Sequence, residues 1–540
     1  MRVSPKFRPP EIGILLFLGI VLSISAAPDA APAPSPTAPP ETSETPTPPT
    51  QPAETPSKAV EISVVKIFST ARYPDLYKPW MRQAPSESSG SGVVIEGKRI
   101  LTNAHVIRYA GQIQVQASQS GDRFSATVEA VAPGIDLAVL KLDDEKFFAS
   151  HPPLPRARDL PDIKDVVTVY GYPEGGTSLA ITRGIVSRIE FGGYNYPVAG
   201  LRIQIDAAVN AGNSGGPAVV DNKLVGIIFS RLNTAENIGY IIPSEEIELF
   251  LQDIADGRYD GKPALFDELQ TLDNPALRPY LKLPEAAQGT LVHRPASDAP
   301  DYPLKEWDLI TRIGDIPVDN QGMSKLGENL LVRFSYFVQK IARQGKVPLT
   351  IVRAGKEMQI EVPVSSSFPL LNPSLRGTLP SYFVYGPIAF SESTGTLLVD
   401  FTEGKNAADW ILDRCYDGNP ILTRAGERPA FPDERLVFVS SPFFPHKVAH
   451  GYSNPAISVV KTVNGTAIKN LAHLVQVLRD LKDEFVVFAF DRKTGGETMV
   501  FPRAEMVAAT EEILTDNGVR SQGSPHLLSI WNAKPLGPTK

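Results

Sequence analysis

Residues 206–217 read Asp206-Ala207-Ala208-Val209-Asn210-Ala211-Gly212-Asn213-Ser214-Gly215-Gly216-Pro217. Glycines flanking Ser214 let the backbone turn so that amide N–H groups, those of Gly212 and Ser214, point at one place where negative charge could develop. A serine hydroxyl is a poor nucleophile until a base takes its proton, and histidine titrates in the range to do that. Of seven histidines in the chain, only two precede residue 255. His151 is followed by Pro152-Pro153 in a loop, a poor setting for a base. His105, in Leu101-Thr102-Asn103-Ala104-His105-Val106, is the candidate. Asp136, opening Asp136-Leu137-Ala138-Val139-Leu140-Lys141, is the carboxylate that could fix the imidazole tautomer and stabilise the imidazolium. Each residue alone is bland: a histidine after a strand, an aspartate at a strand start, a glycine-rich turn. In the order His, Asp, Ser they form one chemical set.

The surroundings are β-patterned. Residues 60–68 alternate and are rich in valine and isoleucine. Gly90-Ser91-Gly92-Val93-Val94-Ile95 and Arg99-Ile100-Leu101-Thr102 form a hairpin across a Gly97-Lys98 turn. Further short strands are predicted at 112–116, 125–132, 136–142, 166–170, 184–189, 201–205, 217–220 and 224–229. Many short strands separated by turn signals predict an all-β barrel or sandwich.

These residues, with Asn237-Ile238-Gly239-Tyr240-Ile241-Ile242-Pro243, resemble the HtrA/Deg family of trypsin-like serine proteases, and most of all its plant-type branch with two PDZ domains. The resemblance runs from about Val60 to the C-terminal region. It implies a mainly β chain, a chymotrypsin-like double β-barrel followed by two PDZ-like α+β domains. It also implies ATP-independent endoproteolysis with His105, Asp136 and Ser214 as catalytic residues. Two positions add detail. Asn213, not an aspartate, precedes the serine, so activation by ion pairing with a freed N-terminal ammonium is not expected. Ala208 stands where trypsin carries its acidic specificity residue. With Ile227 and Phe229 as expected pocket walls, an apolar side chain before the cut is predicted, because burying an unpaired cation is costly.

The expected organisation is a signal peptide at 1–27, a Pro/Thr-rich disordered linker at 28–58, the protease domain at 59–256, a first PDZ domain at 260–365, a divergent second PDZ-like domain at 380–506 and an extension at 507–540. Within the first PDZ-like domain, Leu265-Phe266-Asp267-Glu268-Leu269 reads as a strand and 329–344 as a helix. The place of a carboxylate-binding loop falls at Phe266-Asp267, bulky and acidic, which disfavours capture of peptide C-termini. In the second, 391–435 reads as a long connection containing Cys415, and 471–481 as a helix. Beyond about Ala508 the chain is expected to fray. Between the first strand and the hairpin, residues 68–80 hold four aromatics in thirteen positions. They would either plug a barrel end or, as in HtrA relatives, build a subunit interface.

Composition narrows the partners. Across 540 residues, 53 basic side chains against 60 acidic ones give a net charge of −7, which argues against a nucleic-acid binder working through a basic patch. The single cysteine excludes an intramolecular disulfide framework, cysteine zinc sites and iron–sulfur clusters. His446, His450 and His473 match no closed metal site, so neither metal nor cofactor is expected. Eleven of the 50 prolines fall in residues 28–58, a semi-rigid spacer. Ahead of it, Arg2, Lys6 and Arg8 precede the apolar run 12–22 and small residues, a secretory signal. The expected setting is therefore exported, the bacterial periplasm, with membrane attachment only if the signal segment stays uncleaved. Expected partners are unfolded or damaged protein substrates and further copies of the chain, in a trimer or multiple of trimers. A second reading is a protease-fold chaperone or scaffold with little or no proteolysis.

Overall fold

The computed structural model describes residues 58–174, 176, 178–231, 238–403, 407–492 and 497–534. The expected signal peptide and nearly all of the proline-rich linker lie outside the described residues.

Twelve strands form two closed barrels. The first contains β1 (Val64–Ala71), β2 (Ser86–Ile95), β3 (Arg99–Thr102), β4 (Ala110–Ala117), β5 (Arg123–Ala132) and β6 (Leu137–Leu142), in the order β1-β2-β3-β6-β5-β4. The second contains β7 (Val166–Gly171), β8 (Ala180–Gly193), β9 (Ala199–Ile205), β10 (Pro217–Val220), β11 (Lys223–Arg231) and β12 (Gly239–Pro243), in the order β10-β11-β12-β9-β8-β7.

Strand alternation explains why neighbouring residues serve different cores. Val65, Val94 and Ile100 fill the first barrel, whereas Val64, Val93 and Leu101, one position away, pack with Tyr170, Leu224 and Ile247 between the barrels. Side chains one residue apart point to opposite faces of a strand, so these strands are apolar on both sides. Each such aliphatic contributes about 1.5–3 kcal/mol on burial. The helix Ser244–Asp253 closes the second barrel with Ile247, Phe250 and Leu251 buried. Its Glu246, fully buried, meets Lys262 Nζ at 2.6 Å and accepts the Leu201 amide at 2.7 Å.

The first α+β unit is a sheet of strands 268–270, 290–294, 309–313, 346–353 and 356–363 in that order. Residues 329–344 are not the predicted helix. Leu330–Arg333 instead pairs as a strand with Met323–Leu326, and a single turn of 3₁₀-helix and a short α-helix, Val338–Ile341, follow. Three consecutive branched residues, Leu330 to Val332, suit a hairpin edge, and Gly327 supplies its left-handed turn (φ +65°). Tyr336 anchors this unit to the barrels, donating its hydroxyl to Glu245 at 2.7 Å.

The side chain of Asp267 faces its own unit, accepting the Ala296 amide (2.8 Å) and the Tyr302 hydroxyl (3.0 Å). Burial raises its pKa. Arg428 of the second α+β unit donates to the Phe266 carbonyl at 3.2 Å and to Ala296, and its guanidinium lies over the Phe368 ring. The expected carboxylate-loop position is thus engaged from within the chain.

The second α+β unit holds two sheets. One joins 382–385, 388–392 and 437–439; the other joins 460–463, 466–467, 485–490 and 499–502. The helix Leu471–Asp480 buries Leu471, Leu474, Val475 and Leu478 against them. Two expectations are corrected here. The stretch 391–435 carries helices at Gly395–Asp400, Ala407–Tyr416 and Pro420–Thr423. Nor does the chain fray between residues 508 and 534: helix Arg503–Asp516 buries Met506, Ile513 and Leu514, and Trp531 packs on Phe383 and Tyr385. Composition rich in Gly, Ser and Pro concealed those apolar anchors.

Part of the aromatic segment packs within this chain, away from a barrel end. Trp80 stacks on Tyr382 and Phe444, with ring centroids 6.0 and 5.2 Å apart, and the Tyr77 hydroxyl donates to Asp400 at 2.6 Å. Trp80 and Tyr77 thus meet the second α+β unit, where large rings bury most area between two units, while Tyr73 packs edge-on against Tyr109 at 5.2 Å.

Candidate active site

His105 sits in the short helix Ala104–Ile107, directly after β3. Asp136 precedes β6, which pairs with β3 through Thr102 and Ala138, so the sheet register sets the two side by side. Asp136 holds the histidine twice. One carboxylate oxygen accepts the His105 backbone N–H at 2.9 Å, and the other lies 2.6 Å from Nδ1. A carboxylate accepts at this distance, so Nδ1 carries the proton and Nε2 presents its lone pair. The Asp136 carbonyl accepts from the Asn103 side chain (2.9 Å) and the Ala104 amide (3.2 Å), clamping the whole turn. Asp136 has a φ of +58°, a left-handed conformation that aspartate tolerates better than most residues.

The serine loop is tied to the first barrel. The Ser91 amide donates to the Ser214 carbonyl at 2.8 Å, and Gly90 lies between the two catalytic segments. A Cβ there would come within 2.8 Å of the Val106 methyls and 3.4 Å of the Ser214 carbonyl. Among the described residues, no hydrogen bond joins Ser214 and His105.

Around the candidate oxyanion hole, the carbonyls are fixed and two amides are left over. Glu174 donates its amide to the Ala211 carbonyl at 2.7 Å. Since the peptide group is planar and trans, the Gly212 N–H must point the opposite way. The fully buried Ser91 hydroxyl donates to the Gly212 carbonyl (2.8 Å) while accepting the Tyr172 amide (2.8 Å). Gly216 and Gly215 donate to Asn213 and Ile228 carbonyls at 2.9 and 2.8 Å. Among the described residues, the Gly212 and Ser214 amides have no acceptor. Gly212 has a φ of +93°, and a Cβ there would collide with the Tyr172 carbonyl and the Glu174 amide. Only glycine fits.

The expected pocket residues separate. Ile227 is buried in the core between the barrels, because its neighbour Ile228 faces the second barrel's interior and alternation sends Ile227 the other way. Ala208 is exposed, its carbonyl accepting the Thr182 hydroxyl at 2.9 Å. Phe229 is half-buried and lines a cavity of about 680 Å³ beside His105 and Asp136. Asn213 is buried. Sequence reasoning missed Ser91, read only as a strand residue; its signal was a hydroxyl wedged between Gly90 and Gly92, where backbones can approach closely.

Among the described residues, no cluster of His, Cys, Asp and Glu is placed to hold a metal ion. The His446 and His473 Nδ1 atoms accept the Val448 and Lys469 amides at 3.2 and 3.3 Å. No helix of the described residues is long and apolar enough to cross a membrane.

Comparison with known proteins gives domain and family matches. Residues 90–227 match a trypsin-like peptidase domain and residues 372–526 a PDZ domain. The chain is 34% identical over 479 residues to the chloroplastic protease Do-like 2 of Arabidopsis thaliana, covering 87% of this chain and 76% of that one. It is likewise 34% identical over 438 residues to the mitochondrial protease Do-like 4 of the same plant, covering 79% and 80%. Among solved structures, an HtrA-type protease, AlgW with a decapeptide, is 27% identical and covers 58% of this chain and 98% of that chain, with a TM-score of 0.45. With double barrel, peptidase and PDZ matches and two long relatives in agreement, the chain belongs to the HtrA/Deg (Do-like) family of serine endopeptidases.

Proposed function

We propose that residues 59–256 form an ATP-independent protease that cuts misfolded or unassembled proteins through a His105–Asp136–Ser214 triad. Ser214 Oγ attacks the scissile carbonyl while His105 Nε2 takes its proton, then returns it to the leaving amine. Asp136 keeps the imidazole oriented and stabilises its cationic form. The Gly212 and Ser214 amides receive the oxyanion. The observation that carries this reading is the joint geometry: a carboxylate gripping both amide and ring of His105, and two amides left without acceptors. No cofactor or metal enters the scheme. An apolar residue before the cut is retained as the preference, with Ala208 offering no charge to attract a cation.

The α+β units at 260–365 and 380–506 serve assembly and regulation rather than capture of peptide C-termini in this scheme, consistent with Arg428 at Phe266. Export by the N-terminal segment, into the periplasm or attached to a membrane, and assembly into trimers or their multiples belong to the same proposal. Cleavage of unfolded casein by the full chain, compared with Ser214→Ala and His105→Ala, tests it. Cleavage by the wild type alone is expected; equal cleavage by all three would refute the triad.

A further inference from the structure

The cavity beside the His105–Asp136 pair has a wall that neither barrel supplies. Val128, Val131, Tyr194 and Phe229 contribute apolar and aromatic surface, but Arg376, Gly377 and Thr378 come from the connection between the two α+β units. That connection is held in place at both ends. The Tyr109 hydroxyl, next to the catalytic helix, donates to the Thr378 carbonyl at 3.1 Å. Leu375 is buried, and its amide donates to Thr396 Oγ1 at 3.2 Å. Between these anchors the Thr378 amide donates to the Leu375 carbonyl at 2.8 Å. The two central residues of this turn, Arg376 and Gly377, both have positive φ, +47° and +95°. Arginine pays a steric penalty in that region, and the turn sets its side chain on the cavity.

The charges in the cavity do not cancel. Three arginines line it: Arg108, Arg202 and Arg376. Arg202 is neutralised by Glu190 at 2.6 Å. Among the described residues, Arg108 and Arg376 have no carboxylate partner, and the cavity's own carboxylate, Asp136, is engaged by His105 at 2.6 Å. Two exposed arginines without a carboxylate partner therefore line a space walled by apolar and aromatic side chains. Guanidinium forks suit carboxylates in particular.

We propose that this cavity is a substrate subsite for an acidic side chain close to the scissile bond, formed jointly by the two barrels and the turn at Arg376. It rests on the protease reading above and narrows its substrates to chain segments that place Asp or Glu near an apolar cleavage residue. Because Arg376 belongs to the connection between the α+β units, the subsite is complete only when that connection is seated.

The test uses the full chain and C-terminally amidated peptides, so that side-chain and terminal carboxylates are not confused. Glu, Gln and Lys are scanned through the positions flanking an apolar cleavage residue. At one position Glu should exceed Gln by roughly fivefold in kcat/KM, and the ratio should shrink as salt is raised. It should fall to near one in Arg376→Asn, a replacement that tolerates positive φ, and in Arg108→Gln. In Arg376→Glu the preference should move towards Lys. A Glu-to-Gln ratio of one at every position, or one unchanged in all three variants, overturns the subsite. A fluorophosphonate probe run in parallel separates the two claims. Labelling of Ser214 without any acidic preference sinks the subsite alone, whereas a chain that neither labels nor cleaves any peptide sinks both.

Discussion

The hydroxyl of Ser91, on a strand of the first barrel, donates to the carbonyl of Gly212 in the serine loop of the second over 2.8 Å. This bond couples the barrels at the point where an oxyanion would be received. Removing the hydroxyl leaves the Gly212 carbonyl and the Tyr172 amide without their partner and frees the loop to rotate. Ser91→Ala should lower kcat about tenfold, less than the loss of an oxyanion donor itself, with little change in KM. Steady-state kinetics on an unfolded substrate would check this. A rise in KM alone would assign Ser91 a binding role instead.

Trp80 makes a second connection, stacking on Tyr382 and Phe444. Trp80→Ala should cost about 1–3 kcal/mol, since it removes a large but only partly buried ring. The expected readout is faster hydrogen exchange at the strand Tyr382–Tyr385 and around Phe444, with the barrel strands unaffected. Unchanged exchange at those amides would show that the segment does not hold the unit in solution.

The ion pair of Glu246 and Lys262 is nearly dry, with side chains 0% and 9% exposed. Burial pushes the Lys262 pKa down, and Glu246 acts against that shift. Glu246→Ala would strand a buried ammonium and free the Leu201 amide, so a loss of about 3–5 kcal/mol is expected in urea unfolding. Replacing both partners, Glu246→Leu with Lys262→Met, should cost less than the single change, because no charge is then left unpaired.

The residues of the proposed site stand out in the sequence where the chemistry demands specific residue types. Ser214 needs glycines around it, and His105 and Asp136 sit at strand ends that their neighbours announce by β-patterning. The strands predicted an all-β barrel or sandwich, and the double barrel was an expectation of the family resemblance. Pairings across long sequence gaps were not legible. Ser91 reads as an ordinary strand residue until Gly212, 121 positions away, is placed beside it. Ile227 looked like a pocket wall because its strand follows the serine, but only the face shared with the other barrel shows that it belongs to a core. The helix expected at 329–344 failed for a related reason. Its apolar spacing suits either structure, and the partner strand Met323–Leu326 decided it. Trp80, likewise, could not be assigned a neighbour more than 300 residues away from sequence alone.

In the proposed mechanism Ser214 is a nucleophile activated by His105 and Asp136. Labelling with a fluorophosphonate probe in the presence of an unfolded substrate measures this most directly. The wild-type chain should be modified at Ser214. Ser214→Ala should give no adduct, and His105→Ala should slow labelling by about three orders of magnitude or more. A folded wild-type chain that fails to label under every condition, or an adduct that persists in Ser214→Ala, would contradict the account.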